Sequence, residues 1–397
     1  METVEIMQIL ARGEDSKNQF KRDISNTDSL AAELIAFSNS LGGKIFIGVD
    51  DDGSITGLNK EGIQRINQLL SNTASQNIKP AINPLTEIIT IDDKNILIID
   101  VPKGVNKPYQ DKNGTIWVKN GADKRKATSR EEIQRLFQSS GLIHADENIV
   151  TNATLNDIDM KMFSDFFKKE FGEEIEEQDN SLFQILTNMN LVKNESLNLA
   201  CLLLFGKNNQ FRLPAFVVKC VCYPGTNIDA ENYIESDDYT DNIKAVFKNT
   251  ISFLSRNISK IQGEQNVNSL GIPEIPKLVF EELVANALIH RDYFISAPIR
   301  IFVFSNRIEI ISPGHLPNSL TVENIKSGNS NIRNPILASF ASKLLPYRGL
   351  GNGIRRAIQT YPDIEFIDDR EGNQFKCIIK RYGQKNNPQI TQMDTDV

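Results

Sequence analysis

An α+β fold is predicted, and three observations predict it. Asp28 to Gly43 carries apolar residues at helical spacing and ends in a glycine pair, just before the apolar run Lys44 to Asp50. Leu197 to Gly206 and Phe216 to Tyr223 are continuous apolar runs of the kind that form a buried helix and a buried strand. Phe280 to Tyr293 has a helical pattern, and two alternating runs follow it, Pro298 to Phe304 and Arg307 to Ile311, joined at Ser305-Asn306.

The 397 residues are 40% hydrophobic and 24% charged, enough to bury a large core in two or three domains. We divide the chain at 1–140, 141–271 and 272–383, with a polar tail over 384–397 expected to be disordered. There are 44 basic and 51 acidic residues, a net charge of -7, so any nucleic-acid contact must be local. The acidic runs Glu173 to Glu177 and Asp229 to Asp241 are expected to face solvent. Cys201, Cys220, Cys222 and Cys377 lack zinc spacing, and Cys220 and Cys222 share one strand face as core or half-buried thiols. No apolar run reaches about 18 residues and no leader pattern is seen, so a cytoplasmic, reduced protein without a membrane partner is expected.

In chain order, Leu30, Leu34, Phe37 and Leu41 share one helical face, and Gly42-Gly43 stop that helix. Lys44 to Asp50 then forms a strand, and Asp51-Asp52-Gly53 its turn. Thr115 to Asn120 reads as another strand, and Ser129 with Glu132 forms a capping box that opens a short helix. That leaves Lys124, Arg125 and Lys126 in the loop between. With Lys119, Lys21 and the only tryptophan, Trp117, they could grip phosphate and stack a base, or they could be a solvated loop beside a core tryptophan. After a linker at Ala145 to Asn156, helices are expected at Met160 to Phe171, Ser181 to Val192 and Asp241 to Ile258. No residue set there suggests catalysis, and coupling or assembly is the expected role.

The Phe280 to Tyr293 helix sets Glu282, Asn286 and His290 four residues apart, with Tyr293 three further on, in one stripe beside the apolar arc Val279, Leu283, Val284 and Ala287. A carboxylate and a carboxamide one turn apart suit Mg2+-nucleotide chemistry: the amide oxygen is a hard ligand and the carboxylate can polarise water. A solvated helix face is the alternative. The second strand runs into Ser312-Pro313-Gly314, where a break lets backbone approach a ligand. A polar stretch, Ser327 to Pro335, is expected to be mobile. Gly349, Gly351 and Gly353 then precede a helical pattern, where free N–H groups favour phosphate, and Phe375 to Arg381 forms a last strand.

In that order, Ile275 to Lys380 resembles the Bergerat or GHKL nucleotide-binding fold, in the divergent form at the carboxyl end of RecG-like and Schlafen-like bacterial regulators. The resemblance implies a GHKL-like α/β sandwich that binds ATP and Mg2+, and possible weak Mg2+-dependent ATPase activity. Asn286 would hold Mg2+ and Glu282 would activate the attacking water. His290, Gly314, Arg333, Asn334, Gly349, Gly351 and Gly353 would complete the nucleotide site, with Arg333-Asn334-Pro335 in or beside its lid. Well-known members carry an aspartate that reads adenine in the first glycine box, where this chain has Ser312. Ile6 to Phe137, through its Ala-Phe-Ser-Asn-Ser-Leu-Gly-Gly and Ile-Gly-Val-Asp-Asp-Asp-Gly segments, resembles the Schlafen AlbA_2 domain, a nucleic-acid-associated module. The middle region is similar to that of the same bacterial family.

Together the resemblances imply an oligomeric, nucleotide-responsive regulator of transcription type that contacts DNA or RNA. The alternative they imply is a Schlafen-like metal-dependent RNase serving phage defence or stress response. Its metal ligands would be Glu14, a second glutamate that falls on Gln19, and one of Asp50, Asp51 or Asp52. A neutral amide at 19 lowers the charge a metal cluster needs beside phosphates. The winged helix with which the family often continues is not seen, which lowers the expectation of sequence-specific promoter reading.

Overall fold

The computed structural model describes residues 2–229, 231–261, 271–317, 320–349 and 351–382. The tail expected at 384–397 lies outside them. The chain divides into two compact units, Met1–Ile143 and His144–Val397, and its mixture of helices and mostly antiparallel sheets is α+β.

In the first unit, Asn18–Lys21, Gly43–Ile47, Lys94–Val101 and Leu85–Ile91 form a four-stranded sheet in that order. Only the first pair is parallel. The Thr27–Asn39 helix starts where Asn26 accepts from the Asp28 and Ser29 amides, and it is buried from Leu30 to Asn39. Leu41, placed on its apolar face by the sequence, lies beyond its end and is exposed. Buried Asn39 ties the helix to the following chain: its amide donates to the Tyr109 and Trp117 carbonyls, both at 2.9 Å, and its oxygen accepts from the Tyr109 amide at 2.8 Å. The basic run is not a loop. Trp117–Asn120 pairs antiparallel with Asp123–Lys126 across a tight turn, with Gly121 at φ 63°, so Lys124, Arg125 and Lys126 project from a hairpin strand. Gly121 at the first position of the two-residue turn is a signal that outweighs the strand-poor composition after it.

In the second unit, one six-stranded sheet runs Glu235–Tyr239, Val218–Cys222, Ile299–Val303, Arg307–Pro313, Gln374–Lys380, Ile364–Asp369. Val218–Cys222 and Ile299–Val303 are its only parallel pair. One continuous core holds residues from Ala145 to Ile379. The segments 141–271 and 272–383 therefore share a sheet and a core, with Val218–Cys222 lying between Glu235–Tyr239 and Ile299–Val303. The Met160–Phe171 and Ile243–Arg256 helices form as expected, the second burying Ile243, Phe247, Thr250 and Leu254. The helix expected to reach Val192 stops at Asn188: Asn190 takes a left-handed φ of 58°, and Val192–Lys193 turns into a small hairpin. Pro335–Leu344 and Ile364–Asp369 are additional elements with only short buried patterns in sequence. All four cysteines are buried free thiols, and no helix among the described residues is long and apolar enough to cross a membrane.

Candidate functional site

The helix Lys277–His290 buries Val279, Phe280, Leu283, Val284 and Leu288 and turns the next face into a cleft. Glu282, Asn286 and His290 line this cleft. Gly314 and Arg333 line it from a second side, and Gly349, Gly351 and Gly353 from a third. Its floor is apolar, with Ile310 and Phe375 from neighbouring strands. An apolar cleft edged by a few converging polar groups is the usual form of a small-molecule site.

Glu282 is the most constrained of these groups. Its side chain is 3% exposed and ion-paired with Arg356. Burial pushes its carboxyl up and Arg356 pulls it back. Gly353 opens the helix Gly353–Thr360 beside it, and a Cβ at Gly353 would come 2.3 Å from Glu282 Oε2. Only glycine admits that approach. Asn286 donates its amide to the Glu282 carbonyl at 2.6 Å, and no donor among the described residues engages its side-chain oxygen. The carboxamide oxygen is the atom a hard cation would take.

His290 sits with Nε2 3.1 Å from Tyr347 Oη. Burial, and then Arg333, lowers its pKa to about 4, so it is a neutral imidazole at pH 7. A histidine lowered from 6.5 to about 4 on folding binds fewer protons folded than unfolded between those values, so its contribution is full above pH 6.5 and is lost as pH falls toward 4. Asp146, pushed up to about 6 by burial, acts in the opposite sense across the same range. A His290→Gln variant is expected to lose about 2 kcal/mol less stability than the wild type between pH 7 and pH 4.5. Urea titrations at the two pH values check this, and an unchanged difference would exclude a neutral His290.

Arg333 donates to the His290 carbonyl at 3.2 Å and to the His315 carbonyl at 2.8 Å, joining the helix end to the first glycine turn. Gly314 has φ 95°, and a Cβ there would meet Asp292 Cβ at 2.5 Å and Arg333 Nη1 at 2.7 Å. Ser312 donates to the Ala287 carbonyl at 3.2 Å, so its remaining hydrogen-bonding capacity is as an acceptor. Two residues expected at the site stand behind its wall. Asn334 is fully buried and donates to the Ile289 and Arg291 carbonyls at 2.8 and 2.9 Å, closing the helix end. Tyr293 leaves the stripe because the helix ends at His290, and its hydroxyl bonds the Leu288 carbonyl at 2.8 Å. Arg356, Tyr347, Arg348 and His315 line the cleft without having been anticipated. The only local hint was Arg355-Arg356 at the start of the glycine-led helix, and its partner is 74 residues away.

In the first unit, Glu14 accepts from Gln19 Nε2 at 2.6 Å and from the Phe20 amide at 2.7 Å, with Lys21 Nζ 3.7 Å away. Gln19 is buried and accepts from Lys119 Nζ at 2.8 Å. The amide thus joins Glu14 to a cation. Lys119 is no surface contact: its side chain is 3% exposed, paired with Glu33 at 3.0 Å, and lies 4.6 Å from the centre of the Phe37 ring. Lys124 pairs with the other Glu33 oxygen at 2.8 Å, and Arg125 forms a bidentate pair with Glu132. Lys126 lies 5.5 Å from the Trp117 ring centre, and the Trp117 indole donates to Asp111 at 3.0 Å. Asp50, Asp51 and Asp52 form the turn at Gly53, where the Gly53 amide donates to the Asp50 carbonyl and the Ser54 amide to Asp52. Among the described residues, no three or more His, Cys, Asp or Glu group so as to hold a metal ion.

Residues 14–128 match the family model SLFN_AlbA_2, "Schlafen, AlbA_2". Residues 296–376 match HATPase_c_4, "Putative ATP-dependent DNA helicase recG C-terminal". The second span begins after the Glu282 helix, whose assignment to the cleft rests on geometry. Among solved structures, the DIP2311 protein from Corynebacterium diphtheriae is 21% identical, covering 95% of this chain and 80% of that chain, with a TM-score of 0.46. The N-terminal domain of a RecG-related protein from Nitrosomonas europaea is 24% identical, covering 33% of this chain and 97% of that chain, with a TM-score of 0.24. No curated protein matches the chain.

Proposed function

We propose that this chain is a cytoplasmic nucleotide-responsive regulator: the cleft of the second unit binds ATP with Mg2+, and the first unit contacts nucleic acid. One observation carries the nucleotide half, the convergence of Glu282, Asn286 and His290 with Gly314 and the 349–353 glycines on one cleft. Asn286 Oδ1 would hold the cation, the glycine-led N-terminus at Gly353 and Arg348 would take phosphate, and neutral His290 would lend a ring without adding charge. Mg2+ would supply charge neutralisation between phosphate oxygens. Binding is favoured over turnover. A general base needs a carboxylate oxygen facing water, and Glu282 is held by Arg356 on one side and Gly353 on the other.

For the first unit, the match to an AlbA_2 model supports nucleic-acid association. The remaining candidates are Lys21, Arg125 and Lys126, the last of them beside Trp117, since Lys119 and Lys124 are committed to Glu33. The nuclease reading is the weaker one, because Gln19 occupies the second acidic position and already bridges Glu14 and Lys119. Oligomeric assembly and action on transcription belong to the same proposal.

Calorimetric titration of ATP with and without Mg2+ tests it. Wild type is expected to bind in the Mg2+-dependent manner, and Asn286→Ala to weaken binding at least about tenfold by removing the amide ligand. Equal affinity in the variant, or none in the wild type, would reject the reading.

A further inference from the structure

The wall of the cleft between the two glycine turns is an irregular stretch, and its residues Asn329, Ser330, Asn331 and Arg333 lead directly into the helix Pro335–Leu344. How that helix is anchored therefore sets where the wall stands. Its own N-cap residue, Asn334, forms no cap bond, because its amide is spent on the Ile289 and Arg291 carbonyls at the end of the cleft helix. The open first turn is closed from elsewhere in the chain. Asp146, in the short 3-10 turn Ala145–Glu147, is fully buried, and its Oδ2 accepts from the Leu337 amide at 2.9 Å. Two residues earlier, His144 Nδ1 lies 3.2 Å from the Arg333 carbonyl. Two residues later, the Asn148 carbonyl accepts from the Leu199 amide at 2.8 Å, which fixes the strip to the buried helix Leu199–Phe205.

We infer that Asp146 is a positioning residue for the nucleotide cleft: it caps the Pro335–Leu344 helix in trans and so holds the wall residues 329–333 against the end of the cleft helix. The inference rests on the nucleotide reading above for its ligand, and on the capping geometry for its mechanism. A carboxylate at a helix N-terminus meets both the orphan amides and the positive end of the helix dipole. The strip bearing Asp146 begins at His144, the first residue of the second unit, so the chain leaving the first unit is fastened directly to the wall of the cleft. Rearrangement of the wall on binding would act on that connection, and the connection would in turn bias the wall.

A burial cost accompanies the arrangement. Asp146 Oδ1 has no partner among the described residues, and burial pushes the carboxyl up to about 6. An acid held there against that cost has a use that a neutral acceptor of the same shape can also serve. Asparagine would keep the bond to the Leu337 amide, whereas alanine would delete it.

Hydrogen–deuterium exchange on the ligand-free full chain and calorimetry with ATP and Mg2+ test this on wild type, Asp146→Ala and Asp146→Asn. Asp146→Ala is expected to speed exchange over 329–344 while Leu199–Phe205 stays protected, and to raise the Kd for ATP about fivefold, the loss of one cap. Asp146→Asn is expected to match wild type in both. Exchange that stays unchanged, or rises equally over 199–205, overturns the inference, as does an Asp146→Ala protein with a loosened wall and unaltered ATP affinity. If wild type takes up no ATP, the nucleotide reading fails separately, and the exchange result alone upholds or overturns the trans cap.

Discussion

Gly353→Ala is expected to weaken nucleotide binding strongly while leaving the second unit folded. The added Cβ would lie 2.3 Å from Glu282 Oε2 and 3.3 Å from Asn286 Nδ2. Relief by moving Glu282 is closed off, because its other oxygen is paired with Arg356 and its side chain is 3% exposed. The start of the Gly353–Thr360 helix must instead shift away from the Lys277–His290 helix, opening the two walls proposed to share the phosphates. Overpacking of this kind typically costs about 1–3 kcal/mol, and as lost affinity that is roughly a tenfold to hundredfold rise in Kd. Gly349→Ala is the control. Gly349 also has a positive φ, 66°, but the nearest atom to an added Cβ there is a Tyr347 ring carbon at 3.6 Å. It should bear backbone strain of about 1 kcal/mol and a smaller loss of affinity. Calorimetry with ATP and Mg2+ on both variants decides the matter. Equal effects would mean the glycines serve loop conformation alone, and full affinity in Gly353→Ala would place the ligand elsewhere.

The contrast between these glycines shows what the sequence could and could not disclose. Three glycines before a helical pattern are visible by inspection, and so is the four-residue spacing of Glu282, Asn286 and His290. Both are local, and both meet at the cleft. What faces what across 70 residues is not local. That Arg356 reaches Glu282, that Asn334 turns inward to finish the cleft helix, and that Asp146 caps a helix beginning at Pro335 are contacts between segments 43 to 191 residues apart. Lys119 was misjudged for the same reason. The basic run 124–126 follows it closely in sequence, yet its partners Gln19 and Glu33 lie 100 and 86 residues away, and they draw it into the core. The shared sheet also explains why no boundary separates the middle of the chain from its carboxyl end: a strand as apolar as Val218–Cys222 needs a neighbour on each edge.

The largest effect on stability is expected from Arg356→Leu, and it should be asymmetric with respect to its partner. Glu282 is buried, whereas Arg356 is 31% exposed along its side chain. Removing the arginine strands a carboxylate in an apolar wall, a change that costs about 3 kcal/mol or more when a buried charge loses its partner. Glu282→Gln leaves the arginine free to turn toward water, so its cost should be well under half as large. The double variant Glu282→Gln/Arg356→Leu should recover most of the loss, because no buried charge then remains. The pH dependence gives an independent sign. Burial already raises the Glu282 carboxyl, and without Arg356 the largest opposing influence is gone, so the folded variant takes up a proton more readily than the unfolded chain. The defect of Arg356→Leu should therefore be fully present at pH 7.5 and should shrink as pH falls and the carboxyl is neutralised. Urea unfolding of the single and double variants at pH 7.5 and 5.5 measures both. Additive losses in the double variant, or a defect that grows on acidification, would mean that the two charges are not coupled across the cleft. Glu282 would then be free to meet water, and turnover rather than binding alone would become the natural activity of the site.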